Sequence, residues 1–373
     1  MARPAGWDPP VIGVPGEPAA VRAPVTQPYR PDTVIDGWSS EHFHVRCAAV
    51  RGHAHRAQGV PRQDECAVVL HPGSGAVIAV IADGVSSAEL SHLGATMVCR
   101  TVVDYLLQVL DAGKEVDWLD LMRCAGWSLV EYAARQLAPP QPDASAGNAE
   151  PVPDPRRAER LLASTVVVAL VRPDGPGRAR AWLVRVGDST GWLLRAGEWI
   201  PLFAPLSGPA DELVPDGVSA LPRVPGELTP VTAELARGDV LVLGTDGFAE
   251  PLGDGTGALG ELFAAGLATP PPMPKLAWLL DFTAGTHDDD RTVLALWPGT
   301  DDPPTGYPAG GGPPASQLGG GDPAAGYPAG GDPPASQLGG GDPAAGGDPA
   351  AGQLGGGDPG GWVAGGSGPA DEA

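Results

Sequence analysis

The sequence predicts an α+β fold in which sheets and helices pack in layers. Three observations carry this prediction. Short apolar runs rich in β-branched residues form two groups, and two longer segments with helical spacing separate them. A further helical segment and a last apolar run precede residue 299. Both ends of the chain lack such patterns, so we expect one folded region between two irregular ends.

The two ends have compositions typical of disordered chain. Residues 1–40 are rich in proline, and residues 300–373 are mainly Gly, Pro, Ala and Asp, with GYPAGG occurring twice. Segments with almost no branched apolar side chains cannot offset the entropy lost on ordering. We therefore expect a disordered Pro-rich arm over 1–40, a folded domain over 41–299 and a disordered repeat tail over 300–373. The arm and tail are interpreted as spacers.

The predicted elements follow from periodicity and from turn residues. The strands are predicted over 42–52, 65–72, 76–83, 164–172, 179–188, 190–197, 239–247 and 291–298. The helices are predicted over 88–112, 116–138 and 274–285, because apolar residues recur there every three to four positions. The Pro-rich stretch 139–155 is expected to be a surface loop.

The charge balance excludes two classes of partner. The chain has 45 acidic and 23 basic residues, for a formal net charge of -22. Nucleic acids and anionic membranes bind clustered Lys and Arg, so neither is an expected partner. An acidic surface instead suits a protein that concentrates metal cations.

We expect a monomer.

The N-terminal sequence and the cysteines predict a cytoplasmic location. MARPAGWDPP lacks the apolar region of a signal peptide, and no apolar run approaches the roughly 20 residues of a membrane span. The four cysteines, Cys47, Cys66, Cys99 and Cys124, form no CxxC pair. Their scatter predicts neither a zinc site nor a disulfide framework.

Five aspartates lie at the ends of the apolar runs. They are Asp64, Asp83, Asp188, Asp246 and Asp289. Each alone is typical of a turn residue, but two of them, in ADG and TDG, precede a glycine that permits close approach to a ligand. Carboxylates gathered at sheet ends repel one another and lose solvation, and Mg²⁺ or Mn²⁺ relieves both costs. A calcium site is disfavoured because no D-x-[DN]-x-[DN]-G loop occurs.

The ordered motifs resemble a known family. The set RQDE, IADGVSS, STVVVALV, VRVGDSTGWLL, ARGDVLVLGTDG and HDDDRTVL is similar to the PPM-type (type 2C) metal-dependent Ser/Thr protein phosphatases. The bacterial branch of that family has a first motif of the form H-x-x-x-G-x-P-x-Q-D, and this chain has HRAQGVPRQD from His55 to Asp64. The resemblance covers residues 42–298.

The resemblance implies a four-layer α-β-β-α sandwich of two antiparallel sheets with a metal centre at one end. By position, Asp83 would bridge two Mn²⁺ or Mg²⁺ ions, and the Gly84 carbonyl would coordinate one of them. Asp246 and Asp289 would complete the other site. In such enzymes a metal-bridging water attacks phosphorus directly, without a phosphoenzyme.

Two further carboxylates complete the implied set. Asp64 would orient metal-bound waters, and Asp188 would contribute to a third, weaker metal site. The implied catalytic residues are Asp64, Asp83, Asp246 and Asp289.

The chain also departs from the family pattern. Gln63 stands where many members have Glu, which predicts a weaker second metal site, and Gly59 stands where many have a phosphate-binding arginine. His55, Arg56 and Arg62 are candidate replacements for that phosphate contact, against the simpler interpretation of exposed arginines as a solvated surface. Val85 occupies the position of a proposed general-acid histidine, for which His92 is only a remote candidate.

The resemblance therefore predicts a signalling hydrolase that acts on phosphoserine and phosphothreonine of proteins. The alternative is a pseudophosphatase or scaffold that binds phosphoproteins without turnover. The departures at residues 59 and 63 support that alternative.

Overall fold

The computed structural model describes residues 10–13, 30–135, 152–204 and 219–299. The predicted tail and most of the predicted arm and loop lie outside these residues. The strands have the following bounds: β1 Thr33–Ser39, β2 Phe43–Val50, β3 Glu65–Leu70, β4 Val77–Gly84, β5 Ser164–Pro173, β6 Ala179–Val186, β7 Thr190–Arg195, β8 Glu198–Pro201, β9 Val231–Leu235, β10 Val240–Gly244 and β11 Arg291–Pro298. The helices are α1 His53–Gln58, α2 Ser91–Asp111, α3 Trp118–Arg135, α4 Pro155–Leu162, α5 Asp246–Leu252, α6 Ala258–Leu267 and α7 Met273–Leu280.

The strands form two antiparallel sheets that pack face to face. One sheet has the order β1-β2-β11-β10-β7-β8, and the other has the order β3-β4-β5-β6-β9. A core between them contains Phe43, Ile81, Leu183 and Leu294, all fully buried. The predicted α+β fold with two antiparallel sheets is confirmed.

A second and a third apolar core bury the outer faces of the sheets. Helices α2, α3 and α4 pack on the five-stranded sheet through residues such as Leu106 and Leu129. Helices α5, α6 and α7 pack on the six-stranded sheet through residues such as Phe248 and Phe263. The order of layers is therefore helix, sheet, sheet, helix, as the resemblance implies.

The N-terminal boundary predicted at residue 40 is corrected. Residues 33–39 form β1, which pairs antiparallel with β2 along its whole length, Thr33 opposite Val50 and Ser39 opposite His44. Apolar and polar residues alternate only weakly along β1, and most of its residues are exposed, as is usual for an edge strand. The sequence pattern therefore does not reveal this strand. Further upstream, the Ile12 amide donates to the Thr283 carbonyl at 2.9 Å.

Two expectations about composition also need correction. Cys47 of β2 and Cys66 of β3 form a disulfide between the sheets. The spacing of the cysteines in the sequence could not predict this disulfide, because the two cysteines are brought together only by the packing of one sheet on the other. Among the described residues, α2 alone is long and apolar enough for a membrane span by length and composition, contrary to the expectation that no run is. It contributes Val98, Val102 and Leu106 to a core, as a core helix does.

Local details also differ from the sequence patterns. The segment 239–247 was predicted as one strand, but β10 ends at Gly244 and Asp246 begins α5. Part of the predicted loop 139–155 gives way to α4, which begins at Pro155 with the Asp154 side chain accepting from the Arg156 amide. Both changes occur where short helices carry too few residues for a periodic signal.

Candidate metal centre

Strand pairing brings the predicted aspartates to one end of the sandwich. Asp64 directly precedes β3 and Asp83 lies near the end of β4, and these strands pair with Glu65 opposite Ala82. In the other sheet, β10 ends where β11 begins, with Gly244 opposite Val293. Antiparallel pairing places the end of one strand beside the start of the next. The residues that flank these strands therefore converge.

Three of the carboxylates form a compact group. One oxygen from each of Asp83, Asp188 and Asp246 lies within 4.8 Å of the others. Asp188 follows β6 at Gly187, which has a φ of 97° that favours glycine. A Cβ at Gly187 would also collide with the Thr165 side chain. This glycine therefore allows the chain to cross from one sheet to the other at the carboxylate group.

Asp64 joins the two sheets at the same end. Its carboxylate is 1% exposed. Its Oδ2 accepts hydrogen bonds from the hydroxyls of Thr245, at 2.9 Å, and Thr292, at 2.7 Å. Both threonines lie beside strands of the opposite sheet, so these bonds hold Asp64 across the sandwich. Its Oδ1 is buried and has no hydrogen-bond partner in the described part of the chain.

The group is electrostatically frustrated without a cation. Burial raises the pKa of Asp83 well above its usual value, and the charges of Asp64, Asp246 and Asp289 raise it further. Burial and then the charge of Asp290 raise the pKa of Asp64. Burial and then the charge of Asp289 raise the pKa of Asp246 to about 6. Each shift means that the folded chain penalises the ionised carboxylates.

These residues fit a hard divalent cation. Asp64 and Asp188 each leave a carboxylate oxygen buried without a hydrogen-bond partner among the described residues. Burial also raises the pKa of Asp188. Mg²⁺ and Mn²⁺ take oxygen ligands and supply the positive charge that the group lacks. The donor set contains no sulfur, which agrees with such ions rather than with softer metals.

Asp289 and Asp290 are neighbours in the chain with different surroundings. The Asp289 side chain is 43% exposed, and its Oδ1 lies 3.7 Å from His55 Nδ1. Asp290 is 2% exposed and accepts hydrogen bonds from the amides of Gly52, at 2.7 Å, and Gln63, at 2.5 Å. His55 Nδ1 lies 2.9 Å from its Oδ1. Asp290 therefore has three close protein partners, whereas Asp289 accepts from the Asp290 amide at 2.7 Å and lies farther from His55.

The His55–Asp290 pair is charged. Burial alone would lower the pKa of His55, but its hydrogen bond to Asp290 and the nearby carboxylates raise this pKa to about 9. Burial would raise the pKa of Asp290, but His55 and the two amides hold it below its usual value. The pair fixes α1 to the loop that carries Asp289, and Asp290 also holds the amide of Gln63.

A cavity of about 390 Å³ lies against Asp289 and Gln63. Its wall includes His55, Gln63, Ser86, Ser87 and Asp289. The Gln63 Oε1 is buried without a hydrogen-bond partner among the described residues, so it is free to accept from a ligand. The wall also carries the acidic residues Glu89, Asp288 and Asp289, so a phosphorylated side chain would need a bound cation there to offset their charge.

The three candidate phosphate contacts have different surroundings. His55 lines the cavity. Arg56 instead donates to Asp32 and Asp281, both at 2.9 Å. Arg62 is 2% exposed, and its Nη1 donates to the Asp64 carbonyl. Of these candidates, the geometry leaves only His55 at the cavity.

Two further positions singled out from the sequence, Gly84 and His92, lie at or near the start of α2. A Cβ at Gly84 would collide with Ser91, the first residue of α2, so only glycine allows this approach. His92 is 4% exposed and lies in that helix. Thr245, Thr292 and Asp290 were missed by sequence reasoning. Their signal is adjacency, because each lies within three residues of a predicted ligand.

The family model described as protein phosphatase 2C matches residues 51–280, more than half of the chain. No curated protein sequence matches.

Several solved bacterial structures resemble the chain. RsbX in complex with magnesium has 14% identity and a TM-score of 0.44, over 71% of this chain and 100% of that one. The PstP catalytic domain with two manganese ions has 19% identity and a TM-score of 0.43, over 69% and 98%. PppA of Pseudomonas aeruginosa has 17% identity and a TM-score of 0.43, over 71% and 100%.

Proposed function

The chain belongs to the protein phosphatase 2C family, and from this premise we propose that it hydrolyses phosphoserine and phosphothreonine in proteins by direct attack of water. Membership makes it a metal-dependent protein phosphatase. The observation that carries the finer proposal is the convergence of Asp83, Asp188 and Asp246 within 4.8 Å. A further predicted ligand, Asp289, lines a polar cavity.

The proposed cofactor is a pair of Mn²⁺ or Mg²⁺ ions. Asp83, the Gly84 carbonyl, Asp246 and Asp289 would hold them, with Asp188 available for a third. When bound, such ions activate a water for attack on phosphorus and stabilise the charge of the phosphoryl oxygens. The reaction breaks the bond between phosphorus and the serine or threonine oxygen, and it releases inorganic phosphate and the free hydroxyl.

The residues of the chain have distinct tasks in this proposal. Asp64, held by two threonine hydroxyls, directs its free Oδ1 toward the reacting water. Gln63 and His55 line the cavity in which the phosphorylated side chain is placed. The charge of His55 is paired with Asp290, so a bound cation rather than His55 would offset the charge of the phosphate.

The test is hydrolysis of a phosphothreonine peptide by the full chain with added Mn²⁺. We expect turnover that EDTA abolishes and that excess Mn²⁺ restores. Asp83→Asn and Asp246→Asn should each lose more than the roughly 10–100-fold that removal of an outer-shell partner costs, because each removes a direct ligand. Arg180→Ala, an exposed change on β6, is the control.

Two outcomes would contradict the proposal. Folded wild-type protein that binds Mn²⁺ but releases no phosphate would favour the non-catalytic scaffold. Full activity of both asparagine variants would place the chemistry elsewhere.

A further inference from the structure

Arg30 lies in the N-terminal segment, outside the domain that the sequence predicts, and its side chain is only 9% exposed. The guanidinium reaches the segment immediately before β3. Its Nε donates to the Arg62 carbonyl at 2.5 Å, and its Nη2 donates to the Asp64 carbonyl at 3.0 Å. One side chain thus binds two carbonyls that flank Gln63.

The same guanidinium also contacts α2. Its Nη1 donates to Glu65 Oε2 at 3.3 Å and to Thr96 Oγ1 at 3.0 Å. The Thr96 hydroxyl in turn donates to Glu65 Oε2 at 3.1 Å. Arg30 therefore ties the start of β3 to a long core helix, and Glu65 supplies the negative charge that makes its burial tolerable.

The segment that Arg30 holds has no regular structure of its own. Residues 61–64 lie in neither a helix nor a strand. Their backbone groups consequently depend on side-chain partners. Asp290 accepts from the Gln63 amide, and Arg30 donates to the Arg62 carbonyl. Arg30 and the Arg62 side chain both donate to the Asp64 carbonyl. Asp64 lies at the end of this segment, where a small backbone shift would move its carboxylate.

We propose that Arg30 is a positioning residue for the metal centre, which holds the backbone of Arg62 and Asp64 so that the Asp64 carboxylate faces Asp83 and Asp246. The proposal rests on the proposed function, because it assigns Asp64 to the metal centre. Arginine is required because its planar fork binds two carbonyls and a carboxylate together, whereas a lysine ammonium is a single point.

The experiment compares Mn²⁺ affinity with stability in the full chain. Isothermal titration calorimetry with Mn²⁺ should show a dissociation constant raised roughly 10–100-fold in Arg30→Ala, the range for lost outer-shell partners of a metal site. The Mn²⁺ concentration that gives half-maximal turnover of the phosphothreonine peptide should rise in the same variant. Arg30→Lys should be intermediate, since it keeps the charge but not the fork.

Arg195→Ala is the matched control. Arg195 donates three hydrogen bonds, to Asp239 and to the Glu234 carbonyl, against the four of Arg30, and it lies at the end of β7 away from the centre. Its loss should lower the unfolding temperature without changing Mn²⁺ affinity.

The outcomes separate the two proposals. If Arg30→Ala loses stability but binds Mn²⁺ as wild type does, Arg30 is only a structural anchor and the inference is wrong. Should Arg30→Ala fail to fold, unchanged affinity in Arg30→Lys and Arg30→Gln would overturn it equally. A wild-type protein that binds Mn²⁺ without turnover would instead refute the proposed function, and the affinity comparison would still test Arg30.

Discussion

Two groups of carboxylates lie at the same end of the sandwich, and the protein treats them oppositely. Asp290 receives two backbone amides and His55, so its pKa lies below the usual range. Asp83 and Asp246 share their surroundings with other carboxylates, and their pKa values are raised by burial first. In the first group, called the Asp290 group, His55 and two backbone amides balance the charge of Asp290. In the second, the Asp83 group of Asp83, Asp188 and Asp246, a cation from outside the protein is needed to balance the charge.

The difference teaches how to separate a structural acid from a ligand. Exposure is a poor guide, since Asp290 is almost fully buried whereas Asp83, Asp188 and Asp246 are half-buried. What distinguishes them is the charge beside each carboxylate, because Asp290 pairs with His55 whereas Asp83 and Asp246 face other carboxylates. Asp64 combines both situations, because its Oδ2 accepts two hydrogen bonds whereas its Oδ1 has no hydrogen-bond partner among the described residues.

The largest expected effect comes from replacing the central acid of each group in metal-free protein. Asp290→Ala should lower the free energy of unfolding by about 3–5 kcal/mol, because it leaves a buried charged His55 and two amides unpaired. Asp83→Asn should raise it by about 0.5–2 kcal/mol, because it removes one of several carboxylates that repel one another. Urea denaturation in EDTA measures both. Changes of the same sign would end the distinction between the groups.

A smaller effect is expected where the two groups touch. A Cβ at Gly247 would collide with the Asp290 carbonyl oxygen, so α5, which begins with Asp246, lies directly against the Asp290 loop. Gly247→Ala should therefore cost about 1–3 kcal/mol of stability, as overpacking does, and it should also weaken Mn²⁺ binding.

Gly226→Ala is the control for that prediction, because a Cβ there meets nothing within 4 Å. If Gly247→Ala lowers stability but leaves Mn²⁺ affinity unchanged, the two groups are mechanically independent.

The smallest expected effect is the pH dependence of stability in metal-free protein. The pKa of Asp246 rises to about 6 in the folded state, so the folded chain holds more protons than the unfolded chain between about pH 4 and 6. Its contribution to stability is full below about pH 4 and is lost as the pH rises through 6. Asp290, with its lowered pKa, contributes stability that is lost only as the pH falls below about 4.

Thermal unfolding in EDTA between pH 5 and 8 checks this sign. We expect the unfolding temperature to fall by a few degrees toward pH 8, on the scale of roughly 2–4 °C per kcal/mol. Saturating Mn²⁺ should reverse the trend, because the metal binds the deprotonated carboxylates. A stability that rises with pH in EDTA would show that the Asp83 group is already satisfied by the protein.

The sequence by itself determined the layers and the ligand candidates. Strands such as β4 and β11 are continuous apolar runs, and the aspartates that end or precede them are visible at once. These features are local, since burial on both faces requires apolar residues at successive positions. The convergence of Asp83, Asp188 and Asp246 also needs the two sheets to pack face to face, because β4 and β6 belong to one sheet and β10 to the other.

Only the tertiary structure decided which acids are satisfied and what holds Asp64. Asp289 and Asp290 are adjacent residues of the same type, so the sequence cannot tell them apart. Asp290 accepts from the amide of Gly52, which lies 238 positions away in the chain. Likewise, Arg30 reaches Asp64 across 34 positions. Hydrogen bonds across such separations leave no periodic pattern, because the partners are brought together by the packing of the two sheets rather than by their neighbours in the chain.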